Sequence, residues 1–431
     1  MKKEFFKYVL PSMLAFAFSG VYAIVDGFFV GRNIGDAGLA AINLAYPITA
    51  LLQSAGTGIG MGGAIHIAIS IGAKNDREKD RFFQNTIGLL IASCLAMTAV
   101  LYLAAPGLLH LFGAQGEIFD LALEYIRYII LGATCQILGT GLVPIIRNFN
   151  GAFLAMAAMI AGFVTNILLD WAFVSVFQWG MMGAAVATVI GQFVTAVPCV
   201  VFLLVHGHFK ALSSFRASGL TLRKIVAVGA SPFGLTLSPN IILMLMNKSA
   251  VDHGGNAAVS AYAVVSYVVC IIQLLLQGVG DGCQPLISRY HGQGHTAAVR
   301  AHHRTAYWVS VVTALFAMLG IYLLRGSVSS FFGASAQVGK TVEEVLPIFL
   351  LGFLFVGFSR VTISYLYAVK QNLYAYLLIY GEPVLLFLLL NFVFPPMLNL
   401  LGVWISVPVT QAVIALVGTV LLWCYRRKLP R

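Results

Sequence analysis

The amino-acid sequence predicts an all-α polytopic membrane protein, with twelve transmembrane helices in two six-helix lobes related by a parallel internal repeat. Three observations predict this class: the composition, the recurrence of long apolar runs, and a register shared by the two halves. Of the 431 residues, 60% are hydrophobic and only 10% are charged, with a mean hydropathy of +0.91. A soluble domain of this size needs a far more polar surface, so the composition excludes that class.

Apolar runs of about 20 residues recur along the chain, and each is long enough to cross a bilayer as a helix. Each run should be helical, because lipid offers backbone amides and carbonyls no other partner. We place the spans near residues 6–31, 38–72, 83–105, 118–146, 152–177, 183–206, 222–248, 256–290, 300–324, 338–368, 373–395 and 402–425.

The second half repeats the first at an offset of 220 residues, which becomes 219 after one deletion. Six spans per copy insert both copies the same way round, which typically places a central cavity between two moving lobes. We expect lobes at 1–206 and 222–431, joined by a polar cytoplasmic linker at 207–221. Helix packing would explain single glycines but not a shared register. The register pairs Gln53 with Gln273, Gly58 with Gly278, Gly60 with Gly280, Gly62 with Gly282, Gly72 with Gly292, Phe112-Gly113-Ala114 with Phe332-Gly333-Ala334, Glu124 with Glu344, Gly132 with Gly352, Gly183 with Gly402 and Gln192 with Gln411.

Basic residues indicate the orientation in the membrane. With twelve spans and both ends on one side, one set of loops holds 20 of the 26 lysines and arginines. This bias places both termini in the cytoplasm. The net charge of +11 therefore reflects orientation, and we expect no nucleic-acid partner. The six cysteines have no paired spacing typical of disulfides or a metal site.

Four polar residues inside the first-lobe spans have apolar partners in the repeat. Asp26, Asn166, Asp170 and Thr188 correspond to Met246, Leu386, Leu390 and Val407. A carboxylate at the centre of a span costs roughly 3 kcal/mol or more, so it is usually kept for function. At ~1.5 Å per residue, the two acids and the threonine lie roughly 12–14 Å below the outer surface, and the asparagine about one turn deeper. The four can form a proton or sodium site, because oxygen ligands suit a hard cation and burial favours a protonated carboxylate. Polar contacts that only hold helices together are the alternative.

Several stretches resemble the MATE (multidrug and toxic compound extrusion) family, and the MepA-like bacterial branch most closely. The resemblance spans nearly the whole chain and is most specific in the fifth and sixth helices. It is carried by Asp26-Gly27-Phe28-Phe29-Val30, Arg147-Asn148, Ala155-Met156-Ala157-Ala158-Met159, Asn166-Ile167-Leu168-Leu169-Asp170, Gly183-Ala184-Ala185-Val186-Ala187-Thr188, Gln192 and Gln284-Pro285-Leu286-Ile287-Ser288.

The resemblance implies a twelve-helix, two-lobe antiporter that expels amphipathic, often cationic, compounds in exchange for H⁺ or Na⁺. In such transporters the positions of Asp26, Asn166, Asp170 and Thr188 form the cation site. Pro11 resembles a proline linked to bending of the first helix, and Gly20 would ease that bend. Asp281 stands where the family more often has a neutral polar residue.

The remaining polar residues give further candidates for a substrate cavity. Arg360 and Glu382 lie ~16 Å deep, and could form a charged cavity wall or an ion pair that fixes the lobe. Asp281 and Met159 are the other candidates. The i, i+3 spacing of Glu124 and Arg127 predicts a local ion pair.

Other function classes fit less well. No metal motif, nucleophile elbow or phosphate loop indicates an enzyme, and we expect no cofactor beyond the coupling ion. A major-facilitator-type transporter and a flippase of lipid-linked saccharides remain alternatives. We expect a monomer in the bacterial cytoplasmic membrane, with the lipid bilayer and small amphipathic substrates as its partners.

Overall fold

The computed structural model describes residues 2–331 and 336–427, and helices fill nearly all of these ranges. The all-α prediction is confirmed, and no strand occurs within the described ranges. The repeat partners Phe332, Gly333 and Ala334 and the basic residues Lys428 and Arg431 lie outside the described residues.

Six helices form each half of the chain. The first half contains α1 (Lys2–Ile34), α2 (Asp36–Gly72), α3 (Asp76–Leu111), α4 (Gly116–Leu131 and Ala133–Asn148), α5 (Ala152–Asp170, continued by the π-helix Trp171–Val176) and α6 (Gly180–Val205). The second half contains α7 (Gly219–Gly255), α8 (Ala257–Gly292), α9 (Thr296–Phe331), α10 (Ala336–Leu350 and Gly352–Ala368), α11 (Asn372–Leu388, continued by the π-helix Leu389–Val393) and α12 (Phe394–Arg427).

The count of twelve spans depends on three irregular helices. The two segments of α4 meet at 58°, and those of α10 at 44°, so each pair makes one bent span. The segment Asn372–Arg427 holds 56 residues. It would be ~84 Å long as one helix, far more than a bilayer needs, and its backbone is not helical at Asn399. It therefore holds two spans, α11 and α12, and the backbone break at Asn399 lies in the first turns of α12.

The turns between helices carry the same repeat as the sequence. Residues with positive φ recur at an offset of 220, as at Gly35 (84°) and Gly255 (63°). Lys74 (55°) pairs in the same way with Gly294 (74°). The π-helical ends of α5 and α11 also correspond. The parallel repeat is therefore a property of the backbone as well as of the sequence.

The chain divides into two compact units. The first unit contains Phe18–Leu237 and Ser288–Gly294. The second unit contains the amino-terminal segment up to Ala17, Ser238–Ile287 and the chain from His295 onward. The lobe boundaries at 206 and 222 follow the sequence repeat and stay a prediction. The contacts assign the beginning of α1 to the second unit and the beginning of α7 to the first.

This assignment follows from small residues that allow helices to approach closely. In the first unit, a Cβ on Gly58 of α2 would lie 2.9 Å from Phe233 Cβ of α7. In the second unit, a Cβ on Gly278 of α8 would lie 2.7 Å from Met13 Cα of α1. Gly278 and Phe233 are the repeat partners of Gly58 and Met13. Each unit therefore uses the same helix contact, with the starts of α1 and α7 exchanged between the units.

The predicted linker is a short ordered segment of the first unit. His208–Ser214 forms a 3-10 helix. The His208 ring stacks on Phe149 with centroids 3.9 Å apart, and the side-chain amide of Gln84 donates to the carbonyl of Ala211. These contacts tie the segment to the ends of α3 and α4.

Candidate functional site

The structure brings together the four polar residues that the sequence selects in the first half. Asp26 comes from α1, Asn166 and Asp170 from α5, and Thr188 from α6, all in the first unit. Asp170, Asn166 and Thr188 are 0%, 2% and 5% exposed. The Asn166 amide donates a hydrogen bond of 3.4 Å to the Thr188 hydroxyl. Asp26 is half-buried, and the four together form one polar cluster, which we call the acidic cluster.

The two acids of the acidic cluster lie close enough to interact directly. Within the described part of the chain, both carboxylate oxygens of Asp170, one of Asp26 and the amide oxygen of Asn166 are buried without a hydrogen-bond partner. Leaving a buried polar group unsatisfied costs about 1–3 kcal/mol, and more for a charged group. A proton shared by the facing carboxylates, or a cation between them, would remove this cost.

The local backbone places Asp170 where α5 changes character. The α-helix ends at Asp170, and the wider π-helical turn Trp171–Val176 follows at once. Such turns are frequent at functional sites. Here the same turn recurs at Leu389–Val393, where the repeat partner of Asp170 is apolar. The turn therefore forms with or without an acid at this position.

Two tyrosines complete the acidic cluster. Tyr22 and Tyr125 both lie close enough to Asp26, Asp170 and Thr188 to interact with them. The ring of Tyr22 stacks on Phe163 with centroids 5.2 Å apart. A tyrosine whose apolar body is buried usually finds a partner for its hydroxyl.

The sequence analysis missed both tyrosines, although the repeat holds a signal for them. Tyr22 lies one turn before Asp26, and its partner in the second half is Ile242. Tyr125 corresponds to Val345. Each polar side chain of the acidic cluster thus has an apolar counterpart.

In the second unit, the positions that correspond to the acidic cluster are occupied by apolar side chains. Met246, Leu386, Leu390 and Val407 belong to one cluster of buried residues, and Val345 belongs to it too. None of these side chains is more than 8% exposed. The same arrangement of helices is therefore stable with an apolar interior, and packing alone does not require the acids.

The predicted cavity residues of the second unit lie in two buried networks. Arg360 forms an ion pair of 3.8 Å with Glu382, as their depth predicted. Gln411 donates a hydrogen bond of 2.6 Å to the same carboxylate. In the other network, Asp281 accepts hydrogen bonds from the hydroxyls of Tyr367 and Ser364. Both acids are thus held by donors from neighbouring helices.

Three further candidates lie elsewhere. Met159 is half-buried against the apolar core of the first unit. Pro11 and Gly20 both lie inside the continuous helix α1, and the boundary between the two compact units falls between them, after Ala17. Among the described residues, no group of three or more His, Cys, Asp or Glu could hold a metal ion.

Comparison with known proteins matches both halves of the chain to the same family model. The MatE family model matches residues 11–172 and again residues 235–397. The multidrug export protein MepA of Staphylococcus saprophyticus is 24% identical over 432 residues, covering 99% of this chain and 94% of that protein. MepA of Staphylococcus aureus is 22% identical with the same coverage.

Two solved structures show the shared fold. A multidrug resistance MATE family transporter of the MOP superfamily, in an outward-facing conformation, has a TM-score of 0.91 at 24% identity, covering 99% of this chain and 95% of that one. A MOP superfamily transporter from Pyrococcus furiosus, described as having a binding pocket of reverse polarity, has a TM-score of 0.90 at 23% identity, covering 99% and 95%.

Proposed function

Because this chain belongs to the MatE family, we propose that it is a multi-pass membrane transporter that exports amphipathic, often cationic, compounds in exchange for H⁺ or Na⁺. The MepA relatives are named multidrug export proteins, which supports a role in the export of drugs. The observation that carries the coupling is the facing pair Asp26 and Asp170, whose buried oxygens lack hydrogen-bond partners within the described residues.

The acidic cluster suits either coupling ion. Carboxylate, amide and hydroxyl oxygens are the ligands that hard cations prefer, so Asp26, Asp170, Asn166 and Thr188 would hold Na⁺. A proton would instead turn one carboxylic acid into a donor to the other carboxylate. In both cases the bound ion offsets repulsion between the two acids. Tyr22 and Tyr125 would supply hydroxyl donors when the acids are charged.

The coupling follows from differential affinity. An ion can shift a conformational equilibrium only if it binds one state more tightly than the other. We propose that ion binding changes the packing around the acidic cluster and bends α1 between Pro11 and Gly20. The drug would favour the other state, so that the binding of each weakens the binding of the other.

Asp281, Arg360, Glu382 and Met159 are our candidates for the substrate path. Asp281 would attract a cationic substrate, and Met159 would give an adaptable apolar contact. The basic-loop bias supports a bacterial cytoplasmic membrane protein with both termini inside.

The experiment that tests this function uses purified protein in vesicles. A fluorescent cation is followed while a pH gradient or a Na⁺ gradient is applied separately. We expect uptake with one gradient in wild type, and its loss in Asp170→Asn, which keeps the side-chain shape but removes the titrating charge. Asp36→Asn is the matched control, because Asp36 is an exposed acid at the start of α2. Wild-type uptake by Asp170→Asn would contradict the coupling role.

The two alternatives are less well supported. The family that matches is MatE, so a major-facilitator-type transporter no longer applies. A flippase of lipid-linked saccharides must accommodate phosphates and would need a cationic cavity. The polar cluster of the first unit is acidic, which favours a cationic ligand.

A further inference from the structure

A groove lies between α3 and the first segment of α4, within the first unit and away from the acidic cluster. Its volume is about 450 Å³. Its lining includes Tyr102, Asp120, Glu124, Arg127, Tyr128 and Leu131. The opposite face of this α4 segment is buried in the core through Ala122, Tyr125, Ile126 and Ile129. The groove is therefore on the outer surface of the helix bundle.

Among the described residues, the charged side chains of the groove form no ion pair with one another. Asp120 and Glu124 are one turn apart and both exposed. The predicted ion pair of Glu124 with Arg127 is wrong, because none joins them in the described part of the chain. Arg127 instead lies over the Tyr102 ring, 6.0 Å from its centroid. The groove therefore presents two carboxylates and one guanidinium side by side.

The second half of the chain provides an internal comparison. Tyr322 is the repeat partner of Tyr102, and Arg325 lies over its ring at 4.0 Å. Arg325 also forms an ion pair of 3.9 Å with Glu343. The position of Arg325 is taken in the first half by Ala105. In the second half, Arg325 therefore pairs with the acid Glu343 beside Tyr322. The first half has no arginine at the corresponding position beside Tyr102.

The groove faces the lipid side of the protein. Leu131 at its end is 62% exposed, and Leu103, next to Tyr102 on α3, is 82% exposed. Large apolar side chains that are exposed on a membrane-spanning helix contact lipid. A ligand of this groove would thus reach it from the membrane.

We propose that this groove binds the head group of a phospholipid that carries a primary amine. The ammonium group would donate hydrogen bonds to Asp120 and Glu124, and the phosphate would accept them from Arg127. A choline head group has no N–H group and could donate a hydrogen bond to neither carboxylate. The proposal is independent of the transport function, because it concerns a different face of α4.

The test is thermal unfolding of the full chain in nanodiscs that differ only in the head group of the main lipid. We expect wild type to melt several degrees higher in phosphatidylethanolamine than in phosphatidylcholine, because a ligand of the folded state stabilises it. The double variant Asp120→Asn with Glu124→Gln should lose this difference. Glu117→Gln, an acid of the same helix that does not line the groove, should keep it.

Two further measurements keep the result specific. Arg127→Gln should reduce the lipid difference, whereas Arg127→Lys should retain most of it. Soluble phosphoethanolamine added to phosphatidylcholine nanodiscs should stabilise wild type much less than the lipid does. Equal melting of wild type in both lipids, an unchanged lipid difference in the double variant, or full stabilisation by the soluble compound would each overturn the proposal.

Discussion

Gly72 of α2 packs directly against the backbone carbonyl of Arg289 at the end of α8. The repeat partner of Gly72, Gly292, packs in the same way against the carbonyl of Ile69, which is the repeat partner of Arg289. A Cβ at either glycine would overlap the facing carbonyl oxygen. The two helix ends therefore cross through a pair of equivalent contacts inside the first unit.

We predict that Gly72→Ala and Gly292→Ala destabilise the protein to a similar degree. Overpacking at a tight contact costs about 1–3 kcal/mol, and here the neighbour is backbone, which cannot move aside easily. Thermal unfolding in detergent measures the effect. Gly107→Ala is the control, because a Cβ there meets no atom within 4 Å. If only one of the two variants were destabilised, the contacts would not be equivalent.

The second prediction concerns the buried pair Arg360 and Glu382. Neutralising either residue alone leaves an uncompensated buried charge, which typically costs about 3–5 kcal/mol. Arg360→Gln combined with Glu382→Gln should recover much of the thermal stability. The exposed pair Arg325 and Glu343 is the control, and Glu343→Gln should change stability by less than about 1 kcal/mol.

The outcome also separates the two interpretations of this pair. Single variants that melt like wild type would show that the contact adds little to the fold. A stable double variant that no longer transports would favour a charged cavity wall over a pair that only fixes the second unit.

The third prediction concerns the linker and pH. Burial lowers the pKa of His208 from its ordinary value of 6.5, and the charges of His206 and Lys79 lower it further, against an opposing effect of Asp80. Docking of His208–Ser214 should be complete above about pH 6.5 and weaken below it, because the undocked ring takes up a proton more readily.

Hydrogen exchange of residues 208–214 at about pH 7.5 and about pH 5.5 measures this effect. We expect faster exchange at the lower pH, after correction for intrinsic rates. His208→Phe keeps the stacking on Phe149 but cannot titrate, so its exchange should not depend on pH in this way. The same pH dependence in the variant would show that His208 is not its source.

The fourth prediction uses the second half as a guide for the first. Asp170→Leu copies Leu390 into the acidic cluster and removes two buried oxygens that have no partner within the described residues. We expect it to insert and melt at or above the wild-type temperature, without coupled transport. Leu390→Asp is the reciprocal variant, and it should lower stability because it places an acid among apolar side chains. A strong loss of stability in Asp170→Leu alone would mean that the acid is structural.

The repeat explains why so much of the fold was predictable. Apolar runs show where helices cross the membrane, and one register fixed both the pairing of the halves and the polar positions that only one half has. The exchange of the starts of α1 and α7 between the units could not be predicted, because both helices are apolar and periodicity does not show which neighbour each contacts. Gly58 and its repeat partner Gly278 each make one of these contacts. In the sequence they were visible only as part of the shared register.

Parts of the acidic cluster depend on packing that the sequence does not reveal. The acids Asp26 and Asp170 stand out because a charge in a span is costly. Tyr22 and Tyr125 do not, because a tyrosine in a span is common, and only packing of α1 and α4 directs their hydroxyls inward. Arg127 also shows this limit, since its spacing from Glu124 predicted an ion pair, but the side chain lies over Tyr102.

The most direct test of ion-coupled export is the affinity for a drug in detergent, measured over a range of pH and Na⁺ concentration. Linkage requires that the coupling ion and the drug weaken each other by the same factor. We expect wild-type affinity to fall as the coupling ion rises, and the variant Asp26→Asn with Asp170→Asn to depend on that ion far less. A wild-type affinity that changes with neither ion would contradict the antiport account while leaving the fold intact.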